Sequence, residues 1–432
     1  MEKDIPQEIS HRQARRAILA FLAILSWALI IYSNTLTVPF HFDDHYFIVK
    51  NSNAYSLFDW VSLWHFRPSR FIAFFTFALN YHFGGLNTLG YHLVNILIHS
   101  GAAFLVFWLI NLIFSTPLIK KEGPCRYQFF LALSASLIFL SHPLQTESVT
   151  YISGRFASLA AFFYLLSLCL YLKARLLKDA SSRWLLFYFL SLFAGLLALF
   201  SKENTVTLPL AFLLCELCLF RSSVKSSLKY SLPLLLVIPV IPLLLLLHSE
   251  PIMHKFVDTP LSSWNYLITQ PRVLITYLRL LFIPLNQNLD YDYPMARTVT
   301  ELPVLGSLIF LAVILALALR LLPKYRLISF GVLWFFLTLI PESSIIPMIN
   351  IIFEHRLYLP MAGFSIFLIG VIRYSPINKR LALSILTVSV LVLSYSALTY
   401  NRNLDWRDAF SLWDDTVEKS GKKARAYLNR GL

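Results

Sequence analysis

The sequence predicts an all-α polytopic membrane protein, and three observations carry that expectation. Of 432 residues, 57% are hydrophobic and only 14% charged, too apolar a balance for a chain that folds in water. Apolar runs of about 20 residues, the length a bilayer core requires, recur along the chain. Lys and Arg arrive in short clusters between alternate runs, the bias of loops that stay on the cytoplasmic side. The formal net charge of +14 is therefore a statement about topology. No basic helix interleaved with aromatics reads as a nucleic-acid surface.

Taken in order, residues 1–16 are polar and basic and are assigned to the inner side. A first span follows at about 17–36; it lacks the small-residue cleavage pattern of a signal peptide and is read as uncleaved. The chain emerges outside at Val38-Pro-Phe-His-Phe-Asp-Asp-His45. Residues 71–79 are too short a run to span before Gly84-Gly85 and are expected in the membrane interface. Span 2 covers about 88–114, span 3 about 127–140, and span 4 starts near Arg155. Spans 5 and 6 meet outside at Ser201-Lys-Glu203, and span 6 returns to Arg221. Span 7, about 230–247, holds Pro233, Pro239 and Pro242, which predict a bent helix.

Residues 264–285 carry a polar stripe, Thr269, Arg272, Thr276 and Arg279, at helical spacing. Were this segment to span, Arg320, Lys324, Arg326, Arg373, Lys379 and Arg380 would all move outside. It is placed instead on the outer interface, its stripe toward lipid headgroups. The remaining spans fall at about 302–319, at 327–340, up to 372 and at 381–400. The result is about eleven spans with interfacial helices in the outer loops. It divides the chain into a transmembrane domain, 1–400, and an outer helical tail, 401–432. Cys125, Cys169, Cys215 and Cys218 form no disulfide framework, and Cys215/Cys218 lies in an apolar run where its spacing reads as packing. No Asn-x-Ser/Thr sequon occurs, which favours a bacterial inner membrane, with the outer side periplasmic, over the endoplasmic reticulum of a eukaryote.

On that topology the chemistry-bearing residues gather outside: Asp43/Asp44, Arg67/Arg70, His142/Glu147, Lys202/Glu203, Asp290/Asp292 and Glu354-His355-Arg356. Charges at span ends are costly and are usually functional or paired. A carboxylate there can take a proton from a hydroxyl, and Arg or Lys beside it can hold a phosphate. A site needing both at the membrane surface suits a lipid-phosphate substrate, its chain in the bilayer and its head group among the acids. The plainer readings stand beside these. Arg67 and Arg70 can snorkel to headgroups. Lys202/Glu203 and Glu354/Arg356 can be structural ion pairs, and His142 can bond a backbone carbonyl. Asp290 and Asp292 have an i, i+2 spacing that a divalent metal could use, but two carboxylates alone make a weak site, so no metal ligands are assigned.

The segments Phe42-Asp-Asp44, Arg67-Pro-Ser-Arg70, Tyr91-His-Leu-Val-Asn-Ile-Leu-Ile-His99, His142-Pro-Leu-Gln-Thr-Glu147, Ser153-Gly-Arg155, Ser201-Lys-Glu203, Leu289-Asp-Tyr-Asp-Tyr293 and Glu354-His-Arg-Leu-Tyr358 occur in one order. Together they resemble the transmembrane-and-tetratricopeptide-repeat O-mannosyltransferases and their bacterial relatives, in the glycosyltransferase C superfamily. Residues 406–432 resemble the lead-in to a tetratricopeptide array. The resemblance implies a glycosyltransferase C-like bundle and a polyprenyl-phosphate-linked hexose such as mannose as donor. Transfer to Ser/Thr of a protein would proceed with inversion on the outer face. It implies that the acidic pair, Asp43 and Asp44, is catalytic. Arg356, Lys202 and Arg70 are then expected at the donor phosphate, with Arg67, His142, Glu147, Arg155, Glu203, Asp290, Asp292, Glu354 and His355 in support. A lipid or envelope-glycan acceptor is the nearest rival. A flippase of lipid-linked sugars is a rival of another class, one that calls for internal repeats the sequence does not show.

Overall fold

The computed structural model describes residues 5–220, 223–240, 243 and 262–431. Arg221, Pro242 and the second half of predicted span 7 lie outside the described residues. In a membrane the backbone must satisfy its own hydrogen bonds, and here it does so as helix, with no strand among the described residues. The main helices are α1 (Ile5–Ile31), α2 (Phe71–Gly84), α3 (Thr88–Phe114), α4 (Gln128–Ser141), α5 (Arg155–Leu177), α6 (Trp184–Leu199), α7 (Leu208–Cys215) and α8 (Val224–Val237). They continue as α9 (Ser263–Phe282), α10 (Leu302–Leu321), α11 (Arg326–Leu339), α12 (Pro360–Tyr374), α13 (Leu381–Leu404), α14 (Ala409–Lys419) and α15 (Ala424–Gly431).

Among the described residues six helical stretches are long and apolar enough to cross a membrane: 14–31, Thr88–Phe114, Ile152–Leu177, Glu203–Phe220, Leu302–Leu321 and Leu381–Leu404. A seventh arises if α4 and Pro143–Val149, which meet at 54°, are one broken span. The chain is a multi-pass membrane protein.

The bundle has two chemically different ends. Helix α3 has 27 residues, and at about 1.5 Å per residue it separates its ends by roughly 40 Å. At its start His92 bonds the Val38 carbonyl beside the acidic loop (2.8 Å). At its finish lie Lys120, Lys121 and Arg126, and the same end collects Lys173, Arg175 and Lys178 from α5, Lys324 and Arg326 before α11, and Arg373 from α12. Helices α9 and α2 do not run between the ends. In α9, Tyr266 donates to the Glu342 carbonyl and Tyr277 to that of Phe353, while the Leu281 carbonyl bonds His142. All these partners sit at the acidic-loop end, so α9 lies across it. Helix α2 does the same, tied by Ile72 N–H to the Phe200 carbonyl and by Asn80 to Arg155. The α9 stripe, expected toward headgroups, also bonds within the protein. Thr269 accepts from the Ala296 amide, Arg272 donates to the Pro294 carbonyl, Thr276 bonds Tyr293, and Arg279 donates to the Leu285 carbonyl.

Glycine fixes one crossing in the core. A Cβ on Gly331 of α11 would meet the Phe367 nitrogen of α12 at 2.7 Å, and one on Gly363 would strike Trp334. The two backbones touch because both side chains are missing, the way helices pack closely in membranes.

Candidate active site

The segment after α1 turns back on itself at Phe42, whose φ of 44° lies in the left-handed region that costs a bulky residue conformational energy. The turn is held on both sides. Phe42 packs against Trp413 at 5.6 Å between ring centroids, and the Arg425 guanidinium lies 5.2 Å over its ring. Asp44 is buried, accepts from the His41 amide (3.0 Å) and the Ser153 amide (2.7 Å), and bonds the Ser153 hydroxyl. Burial pushes its pKa up to about 7 against the pull of these bonds. Asp44 therefore builds the loop. Asp43 is partly exposed, and its amide donates to the Tyr151 hydroxyl at 3.0 Å. Burial, with the charges of Asp43 and Asp44, pushes that hydroxyl well up, so Tyr151 stays protonated beside the pair.

Residues 142–154 form a buried turn between α4 and α5. Ser153-Gly154-Arg155 needs its glycine because a Cβ there would lie 2.8 Å from the Ser148 Cα and would strike the Glu147 carbonyl. Glu147 is the acid this turn presents. Its Oε2 accepts the amides of Glu354 (2.9 Å) and His355 (3.1 Å), and its Oε1 bonds His355 Nδ1 at 2.7 Å. That fixes the ring. Burial first, then the positive charges of Lys202, Arg356 and Arg70, hold the His355 imidazole well below its ordinary value, with Glu342 opposing. The charges of three predicted phosphate residues, from three separate loops, thus act on one histidine.

Each of those cations also has a protein partner. Lys202 pairs with Glu342 (2.7 Å), and not with its neighbour Glu203. Arg70 grips Glu203 bidentately, Nε to Oε1 at 3.1 Å and one terminal nitrogen to Oε2 at 3.1 Å, with Ser69 donating at 2.8 Å. Arg67 stands 3.8 Å from the same carboxylate and 5.8 Å from the Phe47 ring, so it is packed in protein and does not snorkel. Arg356 donates to the carbonyls of Asn350 (2.7 Å) and Ile351 (2.9 Å). Glu354 does not direct it, contrary to expectation. Its carboxylate accepts from Gln287 (2.6 Å), the Asn288 amide (2.7 Å) and Tyr291 (2.5 Å).

Other predicted residues are bonded within the protein. His142 bonds the Leu281 carbonyl at 3.0 Å. Arg155 is fully buried among neutral acceptors, Asn95 (2.6 Å), Asn80 (2.6 Å) and the Tyr91 carbonyl (2.9 Å), and its guanidinium lies 4.5 Å over Phe77. It locks α2, α3 and α5 together. Asp290 holds the tail through Lys423 (3.1 Å) and Arg425 (2.7 Å), while Asp292 is exposed. The two acids of that i, i+2 pair therefore have separate environments. Among the described residues no group of three or more His, Cys, Asp or Glu is arranged to hold a metal ion.

Sequence reasoning passed over Tyr151, Glu342 and Glu216. The last is a fully buried acid bonded by Arg175 and by Tyr171 (2.7 Å), and a lone acid inside an apolar run is itself a signal.

No family model matches the chain, and no solved structure does. Curated proteins do. A protein O-mannosyl-transferase of Caenorhabditis elegans is 27% identical over 447 residues, 99% of this chain and 61% of that protein. Human TMTC4 is 31% identical over 211 residues, 44% of this chain and 28% of the relative. Human TMTC3 is 25% identical across 85% of this chain and 42% of its own length. The chain thus spans less than two thirds of the relatives it matches. The curated homologues of this chain are protein O-mannosyl-transferases of the transmembrane-and-tetratricopeptide-repeat family, the family its motifs resemble.

Proposed function

We propose that the chain is an inverting membrane glycosyltransferase that moves a hexose from a polyprenyl-phosphate carrier to a Ser or Thr hydroxyl of a protein. The observation that carries this is the shared end of the bundle. The Asp43 loop, Tyr151, the Glu147–His355 pair and the cations Lys202, Arg356 and Arg70 all meet there. Asp43 takes the proton of the acceptor hydroxyl, whose oxygen attacks the anomeric carbon. The bond from that carbon to the phosphate oxygen breaks, and its electron pair leaves with the phosphate. The transition state is oxocarbenium-like, and one displacement inverts the centre. The cations stabilise the charge that gathers on the leaving phosphate, so no general acid is needed.

Arg356 tests the donor end of this reading. Arg356→Ala is expected to weaken binding of a polyprenyl-phosphate-linked mannose by about 1.5–3 kcal/mol, the worth of a charged hydrogen bond, and Arg356→Lys by less. Because Arg356 also holds two carbonyls of the 350–351 segment, thermal stability in detergent is measured on the same samples. Unchanged affinity with a large loss of stability would make Arg356 a purely structural partner. Transfer of the label to a peptide or to a lipid separates the protein acceptor from its rival.

The topology belongs to the same proposal. The six long helices, the bent pair and four shorter apolar helices, Trp184–Leu199, Ser227–Val237, Arg326–Leu339 and Pro360–Tyr374, would account for eleven spans. The acidic-loop end then faces outward: the periplasm in a bacterium, or the lumen of the endoplasmic reticulum, the alternative that the animal origin of the matched relatives favours. In a chain freed of its native cysteines, cysteine at Ser52, Asp292 or Gly421 should react with an impermeant thiol reagent. Cysteine at Lys121 or Lys324 should not. All five positions are exposed, so labelling at Lys324 would overturn the arrangement.

A further inference from the structure

Two open clefts lie at the basic end of the bundle. A cavity of about 430 Å³ opens there, walled by Phe114, Ile119, Lys120, Cys125, Gln128 and Arg373. A second, of about 510 Å³, lies on the other side of the 117–122 segment and includes Lys121, Glu122 and Arg326. We propose that the first cavity binds the phosphate headgroup of an anionic membrane lipid.

Charge is the first argument. The residues lining the two cavities include four cations and one carboxylate. That carboxylate, Glu122, is divided among Arg373 (3.3 Å), Arg326 (3.8 Å) and the Tyr374 hydroxyl (2.7 Å). One acid cannot neutralise this group, and the 430 Å³ cavity itself has Lys120 and Arg373 in its wall and no acid. Preorganisation is the second. The Arg373 side chain is 8% exposed and its guanidinium is stacked 4.9 Å from Phe114 and 5.6 Å from Tyr374, so its position is fixed before any ligand arrives. The rim turns at Gly123, whose φ of 103° is closed to other residues without strain. Shape is the third. Phe114 and Ile119 line the wall with hydrocarbon at the end of the 27-residue α3, where an acyl chain can lie against it. A free phosphate ion would gain nothing from that wall. Basic pockets between helix ends are where anionic headgroups settle.

The test uses the full chain, delipidated in detergent and titrated with phosphatidylserine, phosphatidylcholine or soluble glycerol phosphate under native mass spectrometry. Phosphatidylserine should bind tightest. Lys120→Glu, at an exposed position that leaves the Arg373–Glu122 pair alone, should lower its affinity by about fivefold or more, and Arg373→Gln should lower it further. Phosphatidylcholine binding and transferase turnover should not change. Arg380→Glu, an exposed cation of the same end outside the cavity, should have a smaller effect. The proposal fails if the two lipids bind alike, if Arg380→Glu matches Lys120→Glu, or if glycerol phosphate binds as tightly as the lipid.

Discussion

Asp43→Asn is expected to lower turnover by roughly 10²-fold or more while leaving donor affinity in place, because the amide keeps the size of the side chain and removes its basic lone pair. The prediction separates the two acids. The Asp43 amide donates to the Tyr151 hydroxyl, and asparagine leaves that backbone bond in place. Asp44 is anchored through its carboxylate, which takes three donors from His41 and Ser153. Asp44→Asn would place an amide nitrogen against one of those donors and so loosen the turn. Initial rates with saturating donor, beside donor binding and thermal unfolding, check the difference. An Asp43→Asn protein that works at the wild-type rate would leave the acidic pair as architecture alone.

Lys202→Met is expected to destabilise the fold by about 3–5 kcal/mol, the usual cost of stranding one member of a buried ion pair. Its partner, the Glu342 side chain, is 3% exposed. Burial raises the Glu342 carboxyl, but Lys202 and Arg356 outweigh it and hold the pKa below the ordinary value. An acid depressed in this way contributes stability above its unfolded pKa and loses it as pH falls through the folded one. Methionine removes the largest lowering influence, so the carboxyl of the variant protonates more readily on acidification. The gap in melting temperature between variant and wild type should therefore be widest near neutrality and narrow toward pH about 4. Lys202→Met/Glu342→Gln should recover much of the loss, since neither charge is then left alone. A single variant that melts like the wild type would show the pair to be solvated in solution.

The sequence was most informative where its signals are local. Hydropathy marks the long helices within a few residues: the helix predicted at 88–114 is α3, and that expected near Arg155 begins there. The acidic pair was legible because nothing in an apolar chain requires two carboxylates at a span end. What stayed hidden was the pairing. Lys202 meets Glu342 across 140 positions and Arg70 meets Glu203 across 133, and no periodicity reports a contact between loops so far apart. Adjacent residues misled instead. Lys202-Glu203 and Glu354-His355-Arg356 look like ion pairs in line, yet each charge turns to a different loop, because neighbours on a tight turn point in divergent directions. The partners of Arg155, expected in support of the site, stayed hidden for another reason: its acceptors, Asn80, Asn95 and the Tyr91 carbonyl, carry no charge to betray them.

The residues after 400 bear on the acidic loop in a way their sequence conceals. The Trp406 carbonyl takes a hydrogen bond from His41 at 2.7 Å, its ring lies 5.4 Å from that of Tyr151, and Trp413 and Arg425 cover Phe42. Each of these contacts falls within two residues of Asp43 or on the tyrosine that holds its amide. The tail is a splint laid along a bent and strained piece of chain. Whatever pulls on that splint pulls on the acidic loop as well.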